Sequence, residues 1–141
     1  MRPPMPTRLP LVALLVLAAP AFAQSGPQIR PGLWEMTLSG MKQKQTVCFT
    51  PEMVKDMKSL SQQKTPDSDC RSSGEAVSGN TRTFNVSCTR PNKYDAKVSI
   101  TTNGPDNFAM TQNYTVERAG KGQTQSGTMS VAYRRIGECP K

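Results

Sequence analysis

From Arg30 onward the chain repeats one pattern, an apolar side chain at every second position. Trp34, Met36 and Leu38 alternate with Glu35, Thr37 and Ser39, between a Pro31-Gly32 start and a Gly40 stop. A period of two marks a strand with one buried and one wet face, so residues 30–40 are predicted as the first strand. Residues 41–50 return as a second. The same alternation recurs at Phe84, Val86 and Cys88, at Tyr94, Ala96, Val98 and Ile100, at Phe108, Met110, Gln112, Tyr114 and Val116, and at Met129, Val131 and Tyr133. These predict strands over 81–89, 94–102, 108–118 and 124–136, preceded by a weak polar strand over 71–77. Turn-forming runs separate them at 90–92, 103–107 and 119–122.

One segment changes period. Thr50 can cap a helix, Pro51 suits its first position and Glu52 its positive end. Met53, Met57, Leu60 and Lys64 then fall at helical spacing, which predicts a helix over 51–63 with a narrow apolar stripe. Methionines at that spacing read as core rather than as copper ligands. The fold class expected is mainly β: an antiparallel meander of about seven strands with one helix after the second strand. Such a sheet must hide its edges, so it should curl into a half-barrel or small barrel with the helix at one end.

The first 23 residues stand apart. Arg2 and Arg8 precede an apolar run from Leu9 to Ala19, Pro20 breaks it, and Ala21-Phe22-Ala23 fits the small-x-small cleavage rule. At about 11 residues the run falls short of the ~20 that span a bilayer. Residues 1–23 are therefore expected to be a cleaved signal peptide, and residues 24–141 a single β-rich domain, exported to the periplasm or secreted and not membrane-spanning. The chain carries 18 basic and 10 acidic residues and no histidine, a net charge of +8; losing Arg2 and Arg8 leaves 16 basic and a net of +6.

Cys48, Cys70, Cys88 and Cys139 all follow the leader. An even number in an exported chain implies two disulfides. A zinc or redox site would need a close pair, and here the nearest two are 18 residues apart with no histidine to assist. Connectivity is open. A hairpin centred near Gly79 would bring Cys70 to Cys88 and leave Cys48 for Cys139. A turn on Gly79-Asn80 alone shifts the register by one and takes Cys70 out of line, which favours Cys48 with Cys70, closing the helical loop, and Cys88 with Cys139.

P-G-L-W-E at 31–35, T-V-C-F-T-P-E at 46–52, the mid-chain Cys70 and Cys88, and R-I-G-E-C-P at 135–140 together resemble the domain of unknown function 3617 family. Those are small exported proteins, mostly of proteobacteria. The resemblance implies an envelope location and a single domain, and carries over no catalytic residue. Gly32-Leu33-Trp34 is also similar to the G-x-W that opens lipocalin barrels, which implies that Arg134 or Arg135 from the last strand covers Trp34 by a cation–π contact.

Catalysis has little support. The usual general base is missing, the ten carboxylates are scattered, and no nucleophile elbow, zinc motif or phosphate loop occurs. The basic residues form no run interleaved with aromatics, which argues against nucleic acid. Asn85-Val86-Ser87 and Asn113-Tyr114-Thr115 match the glycosylation pattern, but fall inside strands, and the bacterial likeness makes the match accidental. No cofactor is expected. Two readings stand: a non-catalytic module holding a small apolar ligand or lipid in the cupped sheet, or an envelope protein without a pocket that contacts another protein or the anionic membrane surface. Under the first, Trp34, Met36, Phe84, Phe108 and Tyr114 are the candidate ligand or core contacts.

Overall fold

The computed structural model describes residues 26–61, 67–118 and 120–141; the leader expected over 1–23 and the helical position Lys64 lie outside the described residues. Seven antiparallel strands form one sheet: β1 (Gly32–Leu38), β2 (Lys44–Phe49), β3 (Cys70–Ser78), β4 (Thr81–Cys88), β5 (Lys93–Thr102), β6 (Asn107–Glu117) and β7 (Thr124–Gly137). Their order is β2-β1-β7-β6-β5-β4-β3. From β3 to β7 the chain is a simple meander, and β7 then pairs with β1, the one neighbour pair distant in sequence. The sheet does not close, since β2 and β3 are its two edges. It nevertheless curls strongly, because Gln45 on one edge strand and Cys70 on the other line the same cavity.

The alternation read from the sequence is the inside–outside pattern of this curl. On β4 and β5, Phe84, Val86, Cys88, Ala96, Val98 and Ile100 are buried, and the residues between them are exposed or half-buried. On β6 and β7 the same face continues through Phe108, Met110, Gln112, Val131 and Tyr133. Trp34 is fully buried and packs against Phe49 and Phe108 at ring centroid distances of 5.8 and 5.2 Å. Phe108 stacks on Tyr133 at 4.3 Å, its register partner on β7. This aromatic group, with Ile29 and Met57, belongs to one continuous core. The Trp34 indole also donates to the Arg30 carbonyl at 3.2 Å, so its one polar atom is satisfied.

The connection from β2 to β3 runs from one edge of the sheet to the other. It starts as foreseen, with Thr50 accepting from the Met53 amide and Pro51 in the first turn. The helix over 51–63 is corrected to α1 (Pro51–Lys55) followed by a separate 3-10 helix (Met57–Ser61). Asp56 causes the break: it leaves helical geometry at φ −114, ψ 85, and its carboxylate accepts from the Lys58 amide. Such a local bond offers the backbone an alternative to the next helical turn. Met57 is thereby delivered into the core at 2% exposure.

The cysteines pair as Cys48–Cys139 and Cys70–Cys88, and none of the described cysteines is free. The favoured pairing of Cys48 with Cys70 is thus overturned, and the cause is a bulge. Gly79-Asn80 does make a two-residue turn, with Ser78 opposite Thr81 and Ala76 opposite Thr83. That register would place Cys70 opposite Thr89. Between Ser73 and Ala76, however, β3 carries an extra residue, so Ser73 faces Asn85 and Cys70 faces Cys88. Gly74 supplies the bend at φ +63, a conformation that suits glycine. Beyond the cysteines, Asp69 accepts from the Thr89 hydroxyl and amide and from the Arg90 amide, which together hold its carboxyl down at about 2.

Candidate functional site

The curl leaves a half-open cavity of about 550 Å³ on its inner face, with lining residues from all seven strands and from the 3-10 helix. That volume lies within the ~300–1,000 Å³ of small-molecule pockets. The lining is mostly apolar. Met36 and Leu38 come from β1, Met110 from β6, and Met129 and Val131 from β7. Leu60 covers one side, while the Cys70–Cys88 disulfide and Val86 form the wall at β3 and β4. Met41, 62% exposed, stands at the mouth with its thioether chain open to solvent. Methionine is unbranched and polarisable, so a wall with four of them can mould itself to occupants of different shape.

The polar groups in this wall are few. No charged side chain lines the cavity among the described residues. Gln112 is the exception to the apolar face of β6, and it is only 6% exposed. The Tyr94 hydroxyl donates to Gln112 Oε1 at 2.9 Å, which fixes the amide's orientation and turns Nε2 away from Tyr94. Among the described residues the acceptor for Nε2 is the Met110 Sδ at 3.7 Å. A thioether is a weak acceptor, so a buried amide with two donors is poorly satisfied.

Tyr94 is held in turn by its neighbours. Its ring stacks on Tyr114, centroids 6.2 Å apart, and Tyr114 lies over Gly127 on β7. A Cβ at Gly127 would come within 2.8 Å of the Tyr114 hydroxyl, so glycine makes room for the ring. Burial, aided by Tyr114, pushes the Tyr94 phenol above its ordinary value.

Of the five candidate contacts, the structure places Met36 in the cavity wall. Trp34, Phe84 and Phe108 lie in the packed core, at 0%, 1% and 3% exposure, and Tyr114 stands behind Tyr94. Leu38, Leu60, Tyr94, Met110, Gln112 and Met129 line the cavity without having been singled out. The signal was present for Gln112, a polar residue on an otherwise apolar face.

The expected cation–π closure of Trp34 is also corrected. Arg135 does stand opposite Trp34 in register, but its Nε donates to the Pro31 carbonyl at 2.9 Å and its guanidinium pairs with Glu138. Arg134 instead reaches Glu35 at 3.1 Å, which also binds Lys44, and these bonds hold the Glu35 carboxyl below its usual range. Gly32 has a local reason: a Cβ there would sit 2.5 Å from the Gly137 carbonyl and 2.7 Å from Arg135 Nε.

The class defined by these features is a β-rich domain with an open, curled seven-stranded sheet, two disulfides and an apolar internal cup. The chain belongs to the family described as protein of unknown function DUF3617, whose model matches residues 29–139. No curated protein and no solved structure matches the chain. Among the described residues, no group of three or more His, Cys, Asp or Glu could hold a metal, and no helix is long and apolar enough to cross a membrane.

Proposed function

We propose that the protein is a non-catalytic binding protein that holds a small apolar or lipid-like molecule in the cup of its sheet. The observation that carries this reading is the 550 Å³ cavity to which every strand contributes, with methionine and aliphatic side chains from β1, β4, β6 and β7. Burying an apolar molecule there stabilises the complex by about 25 cal/mol per Å² removed from water, and the methionine-rich wall tolerates variation in the occupant. The protein acts outside the cytoplasm, in the periplasm or beyond. Two disulfides support that location, since such bonds persist where thiols are oxidised, and the leader-like residues 1–23 agree with it. A pocket-free interaction protein fits less well, because the inward positions of seven strands would then leave a shared space of about 550 Å³ unused.

Native mass spectrometry of the protein purified from cells that export it tests this reading. The expected spectrum contains a second species heavier by one lipid-sized mass, lost on extraction with organic solvent. A single apo mass before and after that extraction contradicts it.

A further inference from the structure

We propose that the cup selects uncharged amphiphiles that carry a carbonyl acceptor on an alkyl chain, and that Gln112 receives that acceptor. This inference rests on the reading of the cup as an apolar-ligand site and adds the chemistry of the ligand. Three observations carry it.

The first is the charge of the wall. Among the described residues lining the cavity there is no lysine, arginine, aspartate or glutamate. An ionised head group drawn inside would lose its water without gaining a counter-charge, which disfavours a carboxylate or a phosphate. The second is the state of Gln112. Its Oε1 is taken by the Tyr94 hydroxyl at 2.9 Å, so the amide presents donors and not acceptors to the cavity. Those donors have the Met110 thioether, 3.7 Å away, in place of an oxygen. A ligand carbonyl would satisfy them, whereas a ligand hydroxyl or amine donor would find no acceptor on that oxygen's occupied side. The third is rigidity. The Tyr94–Tyr114 stack and the Gly127 recess behind it hold the hydroxyl that orients the amide, so the donor direction is set before a ligand arrives. The methionines at 36, 110 and 129 accommodate the chain. A plain hydrocarbon would fill the cup and leave the amide as it is.

Competition against the fluorescent probe N-phenyl-1-naphthylamine separates the possibilities, using methyl laurate, sodium laurate and dodecane at pH 8. Methyl laurate is expected to bind at least about tenfold more tightly than laurate, which is ionised at that pH. The volume-matched variant Gln112→Met is expected to weaken methyl laurate by about tenfold and to leave dodecane within about twofold, the effect of losing one buried hydrogen bond. Tyr94→Phe, which keeps the ring stack and frees the amide to rotate, gives a smaller loss for the ester and none for dodecane. If dodecane and the ester both bind but neither variant discriminates between them, or if laurate binds as tightly as its ester, the Gln112 proposal is overturned while the apolar cup stands. If neither dodecane nor methyl laurate displaces the probe, the cup itself is not a ligand site and this inference falls with it.

Discussion

At the scale of single residues, Trp34 and Gln112 divide the inner face between structure and recognition. Trp34 is fully buried between Phe49 and Phe108, with its indole nitrogen bonded to the Arg30 carbonyl. Truncating a buried tryptophan costs about 3–5 kcal/mol. A small domain has only about 5–15 kcal/mol in all. Trp34→Ala is therefore expected to lose most of the stability in urea unfolding. Trp34→Phe should lose less and bind the naphthylamine probe with wild-type affinity, because Trp34 lies outside the cavity wall. A Trp34→Phe protein that unfolds at the wild-type midpoint but no longer binds the probe would reverse these roles. Alternation in the sequence correctly put both side chains on the inward face. What it could not separate was packed core from cavity wall, since both are inward and both mostly apolar. Met36 and Trp34 sit two residues apart on β1, yet one meets the cup and the other meets rings.

Among the elements, the hairpin of β3 and β4 shows where the chain's own pattern was legible and where it was not. Seven strands, their order along the chain and the cap at Thr50 could be read from period and turn residues. The register of β3 could not, because the bulge that sets it lies in a polar edge strand where no apolar face marks a slip. Gly74 and Glu75 are both exposed there. Glu75 has its own task, binding Arg82 at 2.6 Å and Lys58 at 2.7 Å, and so ties the 3-10 helix to the hairpin. The bulge makes a specific outcome testable. Deleting Gly74 removes the extra residue and leaves a regular pairing in which Glu75 faces Phe84, Ser73 still faces Asn85 and Cys70 still faces Cys88. Peptide mapping without reduction is then expected to find both bridges, Cys48–Cys139 and Cys70–Cys88, intact in that variant. Free thiols at 70 and 88 in that variant would show that the bulge is not simply one extra residue absorbed between Ser73 and Ala76. The helical segment failed for a related reason. Its 3.6-residue stripe was real, but the Asp56 side chain competes for the backbone at mid-segment and converts the second half to a tighter helix.

For the molecule as a whole, the two bridges and the sheet's curl serve one shape. Cys48–Cys139 joins β2 to the tail after β7, across a sequence separation of 91. Cys70–Cys88 joins the other edge strand to its neighbour. In chain-entropy terms closures of this length contribute roughly 3–5 kcal/mol each, which matters for a domain with a hollow on its inner face. The strand count and the four half-cystines made a stapled half-barrel readable from the sequence. The cavity was not, since it depends on how near the curl brings the unpaired edges β2 and β3, a property of twist and side-chain volume summed over all strands. The most direct test of the apolar cup is a titration with N-phenyl-1-naphthylamine of the wild-type protein and of Met129→Trp, whose larger side chain would fill part of the cup. Saturable one-to-one binding by the wild type, lost in Met129→Trp at an unchanged unfolding midpoint, is the expected result. Absence of saturable binding, or equal binding by the two proteins, would contradict it.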